Sequence, residues 1–197
     1  LSMESKIKRP GFFKLISEPT RAILELGMFY PIRQFAKIKH GDGHPVMVMP
    51  GFMTSEKSTK VLRGFLKSLD YKVYDWGLGR NLGKLEYIEV LLERVDEIYE
   101  KEGQQISLIG WSLGGIFARQ IAKEKPSIIR QVITLGSPFA GLAEPNNAAW
   151  LFSLLNGGKK VENVNHTLLA DLPSPAPVPT TAIYSKEDGI VNWELCM

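Results

Sequence analysis

The sequence predicts an α/β domain, a mostly parallel sheet with helices on both faces. Short, fully apolar runs such as Val46-Met47-Val48-Met49 and Ile106 to Ile109 alternate with longer stretches whose apolar residues recur at helical spacing, and glycine or proline ends most of them. Parallel neighbours cannot be joined by tight hairpins, so every strand-to-strand connection must cross over, and helices in those crossovers cover the sheet. With 197 residues, 44% of them hydrophobic and 23% charged, the chain is long enough for one such domain with a substantial core.

The first strand is Val46 to Met49, stopped by Pro50-Gly51. Val61, Leu62, Phe65, Leu66 and Leu69 then mark a helix, and Tyr71 to Tyr74 a strand that leads into Trp76-Gly77-Leu78-Gly79. Leu85, Ile88, Leu91, Leu92, Val95, Ile98 and Tyr99 form one face of a longer helix, which Gly103 is placed to stop. Ile106 to Ile109 is the next strand; Ile116, Ala118, Ile121 and Ala122 continue as a helix until Pro126. Val132 to Leu135 and Thr180 to Tyr184 supply two more strands.

Two regions stand outside this alternation. Residues 1–40 form a basic, partly helical extension with eight Lys/Arg against three Glu, while residues 41–197 carry sixteen against eighteen acids and form the single domain. Such an extension is either a solvated arm or a contact to an anionic membrane or lipid surface. It lacks the basic stripe interleaved with aromatics that nucleic acid requires. Ala140 to Pro179 is too long for an ordinary loop and reads as a lid or cap inserted into the domain, with apolar Trp150, Leu151, Phe152 and Leu155.

Several classes are disfavoured. No run reaches the ~18 apolar residues of a membrane-spanning helix, and the first residues lack a signal-peptide pattern, so a soluble and slightly more cytoplasmic character is expected. A single cysteine, Cys196, offers neither an internal disulfide nor a metal cluster, and no metal or cofactor is expected. In Gly77 to Lys84, Leu82 stands where a dinucleotide fingerprint needs glycine, and Leu85 stands where a P-loop needs Ser or Thr. That segment reads better as a wall of a substrate entrance.

Gly110-Trp111-Ser112-Leu113-Gly114 fits G-x-S-x-G, with a strand before it and a helix after it. A sharp strand-to-helix turn would hold Ser112 in a strained conformation and expose its hydroxyl, with the free amides of the helix N-terminus aimed at developing negative charge. An oxyanion needs two preorganised donors. Leu113 supplies one N–H; the turn after the first strand, Pro50-Gly51-Phe52, supplies the other from Phe52, whose ring lines the acyl site. Trp111 and Phe139, the latter from Ser137-Pro138-Phe139 at another strand end, are candidates for substrate contact.

Together "VMVMPGFMTS", "DWGLGRNLG", "LIGWSLGG", "TLGSPFAG" and "AIYSKEDGIVNW" resemble an α/β-hydrolase of the lipase/esterase type, over about Pro45 to Trp193. The resemblance implies Ser112 as nucleophile, Phe52 and Leu113 as oxyanion-hole donors, and Asp188 as the acid that orients a catalytic histidine. Glu187 and Asp171 are rivals for that role. Pro50 replaces the histidine that many lipases carry before the oxyanion glycine, which leaves the backbone donor intact.

The base is the gap in this picture. In this fold the order is serine, acid, histidine, yet the three histidines are His40, His44 and His166, and Gly189 to Met197 contains none. The strand and closing helix that follow the acid loop are lacking too, so the histidine is expected beyond Met197, with His166 in the cap as a stand-in. The expected activity is hydrolysis of carboxylic esters or lipid-like substrates through an acyl-serine. An acyltransferase of the same fold and a non-catalytic binding domain are the alternatives.

Overall fold

A computed structural model describes residues 38–139, 171, 173–186 and 193–197. Residues 1–37 of the expected basic extension, residues 140–170 of the expected cap with His166, and Glu187 and Asp188 of the expected acid loop lie outside the described residues.

Five strands, all parallel, form one sheet in the order β2-β1-β3-β4-β5. They are β1 (Pro45–Met49), β2 (Lys72–Asp75), β3 (Ile106–Trp111), β4 (Ile129–Leu135) and β5 (Thr180–Ile183). The helices are α1 (Lys60–Lys67), α2 (Tyr87–Glu102) and α3 (Leu113–Glu124), and a short 3-10 helix spans Trp193–Cys196. Among the described residues no helix is long and apolar enough to cross a membrane.

The apolar run of β1 is buried along its whole length because both faces of the sheet are covered. Met47 and Met49 point to the side of α2 and α3, where they meet Leu108, Leu91, Val95, Phe117 and Ile121. Val46 and Val48 point the other way and pack with Ile109, Leu62 and Leu66, so the period-two alternation of side chains sorts one run into two cores.

Each helix follows from its sequence. α2 buries Leu91, Val95 and Ile98, one stripe at spacings of four and three. It ends where Gly103 takes φ 64° and donates its N–H to Tyr99 O at 2.8 Å. Only glycine enters that left-handed conformation without cost. α3 is buried from Leu113 to Ala122 because it lies beneath the central strands with α2 beside it. Trp76, Tyr87 and Phe117 join the two helices to the sheet through successive edge-to-face contacts, with centroids 5.3 and 6.4 Å apart.

Pairing moves several expected boundaries. β3 runs on through Gly110 and Trp111 because Gly110 pairs with Met49 of β1 and Trp111 with Leu135 of β4. β4 begins at Ile129, three residues before its apolar run. A register shift there places one extra residue, Arg130, between Ile129 and Gln131, and its guanidinium reaches Asp42 at 2.7 Å.

Candidate active site

Ser112 sits directly between the last residue of β3 and the first of α3, with φ 51° and ψ −118°. A non-glycine residue in this region costs ~1–3 kcal/mol and persists only where neighbours over-determine it. Here the Ser112 N–H donates to Leu135 O at 2.8 Å, and Ser112 O accepts from Gly115 N–H at 3.0 Å. The flanking glycines are sterically required. A Cβ on Gly110 would lie 2.3 Å from the Gly114 backbone, one on Gly114 2.6 Å from Met49 O, and one on Gly115 2.0 Å from Ser137 Oγ.

The turn after β1 runs beside this serine: a Cβ on Gly51 would lie 3.5 Å from Ser112 Cβ. Among the described residues neither the Phe52 N–H nor the Leu113 N–H has an acceptor, and Ser112 Oγ has no hydrogen-bond partner. Two free backbone donors therefore belong to the two segments that meet at Ser112, the Gly51 turn and the start of α3. The first N–H groups of a helix lack internal partners by construction, so the Leu113 donor also carries the positive end of the α3 dipole.

Around them, Trp111 is 41% exposed at the strand end, while the Phe52 ring packs against the core on the α2 and α3 side. Phe139 is buried, its ring covered by the Arg119 guanidinium at 3.9 Å. Burial lowers the pKa of Arg119, and Asp171 acts in the opposite sense. The same guanidinium donates to Ser174 O at 2.8 Å, and Lys123 Nζ pairs with Asp171 at 2.9 Å. This hydrogen bond from Lys123 holds the Asp171 carboxyl below the usual aspartate range. Asp171 is thus tied to a residue eleven positions along α3 from Ser112, roughly 16 Å at the helical rise. The proline-rich stretch Pro173 to Pro179 lies against the body through these contacts and through Ala176 and Val178.

The two described histidines lie toward the other end of the strands, where β1 begins. His40 pairs with Asp70 at 2.6 Å in solvent. His44, immediately before β1, is buried and donates from Nδ1 to Asp42, and its Nε2 lies 2.7 Å from Ser107 Oγ. Ser107 is the second residue of β3, five positions before Ser112, or about 16 Å along a strand. Its hydroxyl also accepts from Gln131 Nε2 at 3.1 Å.

Sequence reading passed over two residues that hold the turn beside Ser112. Asn81 is fully buried rather than lining an entrance, and its side chain donates to Pro50 O at 2.8 Å; Thr54 Oγ1 donates to Gly51 O at 2.8 Å. The signal available for Asn81 was its place between Gly79 and Gly83, both at positive φ, since a polar residue within a glycine-rich turn commonly bonds to backbone.

A serine at a strained strand-to-helix turn of a parallel sheet, beside the loop of a neighbouring strand, defines the α/β-hydrolase class of lipases and esterases. The palmitoyl protein thioesterase family matches residues 45–179, and the chain belongs to that family. No curated protein matches the chain in sequence. Among solved structures it is similar to lipase B of Aspergillus fumigatus, at 25% identity and a TM-score of 0.54, over 77% of this chain and 40% of that one. A lipase-esterase related protein from Clostridium acetobutylicum shares the fold at 15% identity and a TM-score of 0.52, over 81% of this chain and 82% of that one. The chain spans less than half of some of these hydrolases, 40% of lipase B and 48% of a metagenome-derived lipolytic enzyme.

Proposed function

We propose that this protein hydrolyses carboxylic acyl esters, thioesters among them, through an acyl-serine on Ser112. The observation that carries this reading is the strained Ser112, its hydroxyl without a partner among the described residues, beside the Gly51 turn and the start of α3, whose Phe52 and Leu113 N–H groups have no acceptor there. Ser112 Oγ attacks the acyl carbonyl carbon and passes its proton to a general base; the carbonyl oxygen, now an oxyanion, is received by the N–H groups of Phe52 and Leu113. The C–O or C–S bond then breaks as the leaving alcohol or thiol takes the proton back. Water attacks the acyl-serine by the same route in reverse.

The base in this scheme is a histidine oriented by Asp188, because His40 and His44 are committed at the opposite end of the strands from Ser112. Trp111, exposed next to Ser112 in the chain, is the first apolar surface an acyl chain would meet, and Phe139 is buried under Arg119. Membership of the palmitoyl protein thioesterase family favours a long saturated acyl group on sulfur.

The test is labelling with a fluorophosphonate followed by peptide mapping, alongside turnover of nitrophenyl esters and of a palmitoyl thioester. The reading expects label on Ser112 and turnover of acyl substrates. Neither label nor turnover over short and long chains would overturn it in favour of an acyl-binding domain.

A further inference from the structure

The oxyanion donor on Phe52 is only as good as its direction, and that direction is set by its neighbours. A peptide unit is planar and trans, so the C=O of Gly51 and the N–H of Phe52 point in opposite directions within one plane. Gly51 O accepts from Thr54 Oγ1 at 2.8 Å and from Thr54 N–H at 3.2 Å. Those two bonds draw the carbonyl to one side, which turns the Phe52 N–H to the other.

Thr54 is in turn held by a second loop. The Asn81 N–H donates to Thr54 O at 2.8 Å, and the Met53 N–H donates to Asn81 O at 2.7 Å. Asn81 Nδ2 donates to Pro50 O at 2.8 Å, while its Oδ1 accepts from Gly83 N–H at 3.0 Å, which fixes the orientation of the amide. One fully buried asparagine therefore binds the chain on both sides of Phe52, at Pro50 and at Met53 and Thr54, and forms no hydrogen bond with Ser112 or with the Phe52 N–H.

We infer that Thr54 and Asn81 are positioning residues, which aim the Phe52 N–H at the transition-state oxygen by gripping the peptides around it. The inference rests on the reading of Ser112 as nucleophile. Because a misdirected donor weakens transition-state binding more than substrate binding, its signature is a loss in kcat with little change in KM.

The test compares Thr54→Val, which keeps the volume and deletes the hydroxyl, with Thr54→Ser, which keeps the hydroxyl, in the full-length protein. Asn81→Asp is the third variant; it keeps the shape and sets an oxygen against Pro50 O. The readouts are kcat and KM on a nitrophenyl ester, the rate of fluorophosphonate labelling, and the melting temperature. Thr54→Val is expected to lower kcat and labelling rate about 10-fold with KM within about twofold, and Asn81→Asp to lower kcat about 100-fold. Thr54→Ser should return to within about threefold of the parent. A Thr54→Val protein with the parent's kcat, or a Thr54→Ser protein as impaired as Thr54→Val, overturns the inference while the active parent leaves Ser112 as nucleophile. A parent that neither labels nor turns over removes the nucleophile and the inference together. If Asn81→Asp fails to fold, the threonine pair decides.

Discussion

The two ends of strand β3 carry two serines that differ in every respect that matters for reactivity. Ser107 belongs to an Asp42, His44 and Ser107 chain of hydrogen bonds with the connectivity of a catalytic triad, yet it is buried and its hydroxyl also receives Gln131. It follows a regular strand conformation, with no helix N-terminus beside it. Ser112 has no partner for its hydroxyl among the described residues, but it is strained, partly accessible and next to the Gly51 turn and the start of α3, where the Phe52 and Leu113 N–H groups are without acceptors. A hydrogen-bonded serine, histidine and aspartate is therefore insufficient evidence of a nucleophile. What separates the two ends is access, backbone geometry and nearby N–H groups without acceptors.

The sharpest way to break this contrast is to delete each hydroxyl. Ser112→Ala should lower ester turnover by about 10⁴-fold or more, whereas Ser107→Ala should leave turnover within about twofold; steady-state kinetics on both proteins decide. If the losses were reversed, the chemistry would belong to the buried end.

The turn itself can be broken without touching a hydroxyl. Gly110→Ala would drive a methyl to 2.3 Å from the Gly114 backbone. Because backbone cannot swing aside as a side chain can, a cost of about 3 kcal/mol or more is expected, visible as a fall in the urea midpoint.

At the other end, His44→Ala removes the link between Asp42 and Ser107 and leaves buried polar atoms short of partners, a cost of about 1–3 kcal/mol. Urea unfolding should register this while turnover per folded molecule stays at the parent value. A drop in kcat at constant folded fraction would mean that the two ends are coupled.

The smallest effect expected is in acid. Hydrogen bonds from His44 and then Arg130 hold the Asp42 carboxyl well below the usual carboxylate range. A carboxyl whose folded pKa is depressed contributes stability that is present above its unfolded pKa and disappears as pH falls toward the folded value. The parent should therefore exceed Asp42→Asn in stability at neutral pH, and the two unfolding curves should converge as pH drops below about 4. A constant gap from pH 7 to about 3 would show that the pair contributes through shape and not through charge.

Much of the fold is legible in the sequence because its cause is local. An apolar run flanked by glycine or proline states that a strand is buried on both faces, and Leu91, Val95 and Ile98 state which side of a helix is covered. The glycines around Ser112 state that backbone passes where side chains cannot, which is a property of six consecutive residues. Strand ends are less legible. Gly110 and Trp111 join β3 only because β1 and β4 offer them partners.

Cross-loop polar contacts leave no such trace. His44 meets Ser107 across sixty-three positions and Asn81 meets Pro50 across thirty-one, and nothing in the period or composition of either segment announces the other. The sequence by itself determined the alternation of strands and helices and the tight turn at Ser112, since each needs only near neighbours to be physically required. The tertiary structure alone decided that Asn81 is buried under the Pro50 loop, that Thr54 grips Gly51, and that one histidine lies beside the serine at the wrong end. Such hydrogen bonds exist only once the sheet order and register bring distant loops within about 3 Å of each other.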